Sequence, residues 1–540
     1  MRKKCLALFL LMCASLFVLE PTVMACTGFI IGKDLTQDGS WLYGRTEDLE
    51  PDHNKTFVVY PRTDNPEGAT WKDQSNGFEY PLPATSHKYT AVPDVTPEYG
   101  VYDEAGFNEH GLSISATVSA TANDKILELD PYVENGLAES SMTSVVLQNA
   151  KTAREGVDLL GKIVTEKGSA EGNIVILADK EGIWYMEILS GHQYVAIKFP
   201  ADKFAVFPNT FYLGHVDFTD TNNVIASSGV MDLAKKAGTY QEVDGTFHVA
   251  QSYNPPQSDG NRSRYFSGVK ALKPDADITY EDEYYELLHS SDKKYSLADA
   301  MALQRNRFEG LDLKPLDQME LDGKDKPDGK KAVDGYAYPI SNQNVMEAHI
   351  FQLKDNLPKE IGGGVMWLAI GSPRNAPYLP YYGNITDTYK AYQDKSTEYS
   401  PDSWYWVISH INDMVAQHPE EFGTEVIDEV KSLEAEWMKQ QETADEEMIS
   451  LVASDPEKAS QKATQDSMKR AEETFARLKE IEASLEERVE ALSADDKSDD
   501  KKGDTTTSSS NNLLIFGLGA IVVLGLAGFI YSQKKSKADQ

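Results

Sequence analysis

Residues 23–32 read VMACTGFIIG. Val23-Met24-Ala25 is a small-residue site, and Thr27 to Ile31 is a β-branched, apolar strand pattern that begins immediately after Cys26. Ahead of it stand a basic Met1-Arg-Lys-Lys4 and an apolar run from Cys5 to Leu19 that stops before Pro21. This three-part arrangement reads as a secretory signal peptide over residues 1–25, too short and too early to be a main membrane anchor. Cleavage after Ala25 would make Cys26 the first residue. Of the three cysteines, Cys5 and Cys13 fall in the segment removed. The mature chain then forms no intramolecular disulfide and keeps one thiol, an oxidation liability outside the cell unless chemistry requires it.

At the other end, Leu513 to Tyr531 (LLIFGLGAIVVLGLAGFIY) is uncharged and long enough to cross a bilayer once. Lys534, Lys535 and Lys537 in the tail, 532–540, favour a cytoplasmic end. The expectation is a single-pass protein of a bacterial cell membrane with its body outside. The formal net charge of -34 argues against nucleic acid and anionic lipid surfaces as partners, both being polyanions. The ten histidines show no HExxH or Cys/His pairing, so neither a metal nor another cofactor is expected.

Between these ends, strands are expected at Thr27–Ile31, Trp41–Tyr43, Thr56–Tyr60 and Leu112–Val118, then as a meander at 173–178, 183–188 and 193–199. Apolar spacing predicts one long helix over 140–166 and helical character after Thr424, broken at Pro456. Residues 362–383 read as a buried strand followed by an aromatic loop, and Trp404 and Trp406 as core. Strand groups alternating with helix groups indicate an α+β fold. Residues 424–492 suit either a helical cap or a stalk, and the polar 493–512 a flexible linker.

A cysteine at a chain start owns an α-amine of pKa roughly 7.7–8.0, a usable base near neutral pH. Thiol and amine can then serve as nucleophile and general base without a histidine. Such a site still needs a cation beside the thiol, a carboxylate to hold the geometry and donors for an oxyanion.

Cys26-Thr27-Gly28 followed by Gly44-Arg45-Thr46-Glu47-Asp48 resembles the opening of the N-terminal-nucleophile amidohydrolases. Asn108-Glu-His-Gly-Leu112, Pro208-Asn209-Thr210-Phe211 and Asn261-Arg-Ser-Arg264 extend the match. By this resemblance Arg45 and Arg264 would steady the thiolate, Asp48 would orient the α-amine, and Asn209 would donate to the oxyanion, with a backbone amide near Thr117 as second donor. Asn108 reads as structural.

Other stretches are similar to the dipeptidase A branch, which includes the secernins: Ala150-Lys-Thr-Ala-Arg-Glu-Gly156, Trp184-Tyr-Met-Glu-Ile188, Arg307-Phe-Glu-Gly310, and Gly364-Val-Met-Trp367 through Pro380-Tyr-Tyr-Gly383. That resemblance, from Cys26 to about Tyr405, implies a catalytic domain over 26–423, a four-layer αββα sandwich, and hydrolysis of dipeptides. It leaves a homo-oligomer open. Lys198-Phe-Pro-Ala-Asp202 and Leu311 depart from the family's usual residues and bear on substrate preference.

Two other readings stand beside this one. The shared motifs also fit a non-peptide amidase of the bile-salt or penicillin-V type. Val23-Met24-Ala25-Cys26 also resembles a lipobox, which would make the protein a surface lipoprotein or adhesin lipidated at Cys26.

Overall fold

The computed structural model describes residues 25–49, 51, 53–95 and 100–500. Two six-stranded antiparallel sheets lie at its centre. The first is built from β1 (Thr27–Ile31), β2 (Trp41–Asp48), β8 (Phe204–Phe207), β10 (Val345–Leu353), β11 (Gly364–Ile370) and β12 (Leu379–Tyr382), in the order β8-β1-β2-β10-β11-β12. The second comprises β3 (Ala105–Phe107), β4 (Ser113–Ala120), β5 (Gly172–Asp179), β6 (Gly182–Ile188), β7 (Tyr194–Lys198) and β9 (Val224–Ala226), in the order β9-β7-β6-β5-β4-β3.

The sheets face each other. Tyr43 on β2 donates to Ser113 on β4 at 2.7 Å, and the Phe207 ring on β8 meets Tyr185 on β6 edge-on. Helices α1 (Glu139–Asn149) and α2 (Ala153–Lys167) cover the outer face of the second sheet. Helices α3 (Asp259–Leu272), α4 (Leu297–Gln304), α5 (Trp404–Gln417) and α6 (Pro419–Ser454) pack on the first. With both faces covered, strands such as β1 and β5 are buried at every position, so they read as apolar runs rather than alternations. Under α1 and α2, Met142, Val146, Val157 and Leu160 meet Ile114, Val175, Leu177 and Met186 in one cluster. Full burial of each such side chain is worth about 1.5–3 kcal/mol.

Two expectations need correction. The single helix over 140–166 is two, because Thr152 caps a new start by accepting from the Glu155 amide at 3.1 Å, and Asp179 accepts from the Ala153 amide at 2.8 Å. Both helices lie on one sheet, so their apolar spacing runs on through the break. The aromatic loop after β11 ends instead as strand β12, paired to β11 from Val365↔Tyr382 to Leu368↔Leu379.

After Pro419 the chain is helical: α6 is followed by α7 (Pro456–Asp500), which runs on into the segment expected as linker. Up to Leu485 these helices lie on the end of the first sheet. Glu434 pairs with Arg305, Asp445 accepts from Tyr382 and Lys354, and Arg470 donates to the Pro380 carbonyl. Trp404 is fully buried, stacked between Tyr392 and Phe475. Among the described residues no helix is long and apolar enough to cross a membrane. The run 513–531 lies outside them, as do residues 1–24 of the signal-peptide reading and the tail 532–540.

Candidate active site

Cys26 stands one residue before β1, with Ala25 still attached, so its nitrogen is an amide here rather than an amine. It is wholly buried. The β1–β2 ladder is prolonged past Thr27↔Thr46 by a bond from the Ala25 amide to the Asp48 carbonyl at 2.9 Å. Gly28, two residues on, must be glycine, because a Cβ there would lie 2.2 Å from the Phe207 ring. A buried thiol at the mouth of a strand is no place for a diacylglyceryl chain, which argues against the lipoprotein reading.

Arg45 is placed by register: it pairs with Gly28 on β1 and His349 on β10, in the middle of the sheet. Its Nη1 lies 3.9 Å from Cys26 Sγ and also donates to the Thr117 carbonyl, while Nη2 donates to Glu104. Glu139 and Glu347 each stand 3.7 Å away. Burial works against the guanidinium charge, but Glu104, with Glu47 and Glu347, outweighs it and holds Arg45 protonated. For Cys26 the balance goes the other way. Burial raises the thiol pKa strongly, Glu139 and Glu47 add to this, and Arg45 and the Asp48 amide offset it only in part. In this uncut state the sulfur is a thiol, not a thiolate.

Asp48 ends β2 at a register shift after Glu47. Its carboxylate accepts from Tyr338 Oη at 2.7 Å and Asn342 Nδ2 at 2.6 Å. Burial raises its pKa against the pull of Lys330 and Arg264. Arg264, in the first half of α3, does not bond the sulfur. Its Nη1 donates to the carbonyls of Ala25 at 2.7 Å and Cys26 at 2.5 Å, and its Nη2 to Asn209 Oδ1 at 2.8 Å and Asn261 Oδ1 at 2.9 Å. It therefore grips the Ala25–Cys26 peptide and aims the Asn209 amide. With Oδ1 so engaged and its carbonyl taken by Asn261 Nδ2 at 2.8 Å, Asn209 presents a buried Nδ2 with no partner. Thr117 falls at the β4–β5 register shift between Ala116 and Val118, which takes it out of the ladder with β5.

All five residues expected from sequence, Cys26, Arg45, Asp48, Asn209 and Arg264, are thus brought into one connected set of contacts. Sequence reading missed Glu104, Glu139, Tyr338 and Asn342. Nothing marks Glu104 and Glu139 in the sequence, because only the facing of the two sheets and the placement of the α1 N-terminus bring them to Arg45. Tyr338 and Asn342 lie in Tyr338-Pro-Ile-Ser-Asn-Gln-Asn344, an aromatic and amide-rich run that could have drawn notice.

The profile of Peptidase family C69 matches residues 25–432, beginning one residue ahead of the buried cysteine. The chain belongs to peptidase family C69. A Streptococcus pyogenes serotype M18 (strain MGAS8232) protein named "Probable dipeptidase B" is 69% identical over 487 residues, spanning 90% of this chain and 98% of its own. A Latilactobacillus sakei protein named "Probable dipeptidase" is 31% identical over 435 residues, or 79% of this chain and 88% of its own. A Salmonella dublin protein of the same name is 33% identical over 365 residues, 67% and 81%. These relatives of the C69 peptidase are bacterial. The profile covers every residue of the site, from Cys26 and Arg45 to Asn342.

Proposed function

We infer that this C69 peptidase is a dipeptidase that cuts its substrate with Cys26 once residues 1–25 are gone. The observation that carries the reading is the set of contacts around Cys26: a cation 3.9 Å from its sulfur, Arg264 joining its carbonyl to Asn209, whose Nδ2 is buried without a partner, and Asp48, whose carbonyl takes the Ala25 amide and whose carboxylate is hydrogen-bonded. These are the parts a thiol nucleophile needs, set on the two-sheet layering of an N-terminal-nucleophile hydrolase. In the cut enzyme the α-amine takes the Sγ proton as sulfur attacks the peptide carbonyl. Asn209 Nδ2 donates to the oxyanion, with the Thr117 amide as the second donor. Collapse breaks the C–N bond, the α-ammonium returns the proton to the leaving amine, and a thioester remains. Water, deprotonated by the same amine, attacks the thioester and releases the acid and the thiol. Asp48 orients the amine, and Arg45 stabilises negative charge on sulfur.

Residues 1–25 serve in this reading as an export signal, and 513–531 as an anchor that keeps the enzyme outside the membrane. The test is a protein that begins at Cys26, assayed on a dipeptide panel and, in parallel, on conjugated bile acids and penicillin V. Turnover of dipeptides alone is expected. Turnover of the other amides alone would replace this reading by that of a non-peptide amidase.

A further inference from the structure

The turn Asn108-Glu-His-Gly-Leu112, which the catalytic reading leaves unused, carries a second cluster. His110 Nε2 lies 3.2 Å from His87 Nδ1, and Glu109 Oε1 lies 3.4 Å from the same His87 nitrogen. The three atoms all fall within 4.8 Å of one another. We propose that His87, Glu109 and His110 form a binding site for a divalent transition metal of the zinc class, with water completing the coordination.

The spacing carries the argument. Two ligands at about 2.0–2.1 Å from a tetrahedral zinc ion stand about 3.3 Å apart. His87 Nδ1 meets that separation to both His110 and Glu109. Two imidazoles and a carboxylate are also the donor set that zinc takes where one position is left open. The ligands sit on pinned backbone. Glu109 N donates to the Lys88 carbonyl at 2.9 Å, and His87 N to the Gln148 carbonyl at 3.2 Å. Asn108 ties the turn to α1 through the Leu147 and Ala150 carbonyls and accepts from the His110 amide at 3.0 Å. Little rearrangement is then left to oppose binding.

In the metal-free state the two facing nitrogens share one N–H···N bond, and metal binding moves that proton to the outer nitrogen. Arg62 donates to Glu109 Oε1 at 2.6 Å and competes for that ligand, but its side chain is 58% exposed and can turn into solvent.

The probe is zinc itself, titrated into the full chain by equilibrium dialysis. Cobalt(II) serves alongside as a spectroscopic reporter through the visible bands of four-coordinate metal. Each measurement is made against a His87→Gln/His110→Gln double variant, so that zinc held by thiols or other groups cancels. These glutamines keep size and hydrogen bonding, and equal Tm without metal shows that the fold is intact. The expected result is one equivalent bound by the wild type beyond the double variant, with the cobalt bands lost in the variant. Either single variant should weaken binding by at least the roughly 10–100-fold that loss of an outer hydrogen-bonding partner costs a metal site. Zinc should raise the Tm of the wild type alone, and Arg62→Ala should tighten binding. Equal zinc stoichiometry in wild type and double variant, or Arg62→Ala leaving affinity unchanged together with no cobalt bands, overturns the proposal.

Discussion

Replacing Asn209 by alanine tests the site at its most exposed assumption. Its Nδ2 is a buried donor without a partner, which costs the resting protein about 1–3 kcal/mol. In the proposed role that cost would be recovered when an oxyanion forms in front of it, so the interaction would exist only in the transition state. Loss of such a donor lowers kcat by about 10²–10³-fold, or about 2.7–4 kcal/mol, and leaves KM within a few-fold. Stability should hardly change. The substitution removes the 2.8 Å bond to Arg264, worth about 1.5–3 kcal/mol, and in the same stroke relieves the orphan donor. Steady-state kinetics of the form beginning at Cys26, with Tm measured on the same samples, separates these effects. Asn209→Asp should be worse still, because its carboxylate would pair with Arg264 and repel the oxyanion. A kcat within about threefold of wild type, or a loss confined to KM, would refute the assignment.

Other outcomes follow from the same geometry. A chain that retains Ala25, and Cys26→Ala in the cut form, should both lack turnover while keeping a native Tm; activity in the first removes the N-terminal amine from the mechanism, and activity in the second removes the thiol. Glu187 is fully buried, accepting from the Tyr212 and Leu213 amides and from Tyr185, and burial lifts its pKa from 4.5 to about 7. The fold therefore binds a proton that the unfolded chain releases, a stabilisation complete below about pH 4.5 and lost as pH rises through about 7. Glu187→Gln keeps the acceptor without the charge, so its stability relative to wild type should grow between pH 5 and 8 by an amount on the order of 3 kcal/mol, read by Tm across that range. Glu434→Ala leaves Arg305 buried without its carboxylate and costs the Tyr378 amide its acceptor, so denaturation should come earlier by about 3–5 kcal/mol with kcat/KM retained. A Tm equal to wild type would show that the helix α6 contact adds no stability.

How much of this was legible follows from where each signal resides. Arg45, Asp48, Asn209 and Arg264 were all found through motif resemblance. Arg45 and Asp48 share one hairpin with Cys26, so their meeting follows from local pairing, whereas the contact of Asn209 with Arg264 depends on α3 folding back on the loop after β8. Strand β10, in the middle of the first sheet, went unseen because Glu347 and His349 interrupt its apolar run. Those two residues are tolerated there because they bond each other at 3.0 Å, and His349 reaches Ser115 across the sheets at 2.8 Å. Polar residues that serve the layer between the sheets thus erase the hydrophobic pattern of the strand that carries them. For Arg264 the resemblance implies a cation steadying the thiolate, and the structure adds what no motif carries: its guanidinium bonds three main-chain carbonyls, the Thr27 hydroxyl and two asparagines.

That arrangement explains how removal of Ala25 could act as a switch. Ala25 packs among Leu316, Met319, Tyr336 and Tyr338, next in sequence to Cys26, whose thiol is raised chiefly by burial. Burial is also the largest influence on Asp48, the carboxylate assigned to hold the amine. Were removal of residues 1–25 to expose the sulfur, the dominant opposition to a thiolate would fall while Arg45 stays fixed by Glu104 and Thr117. That removal would also replace a neutral amide by an ammonium near the Asp48 carboxylate, and opposite charges at that range favour the ionised form of each. In the proposed mechanism the cut would thus supply the amine and ease ionisation of the nucleophile through a single change.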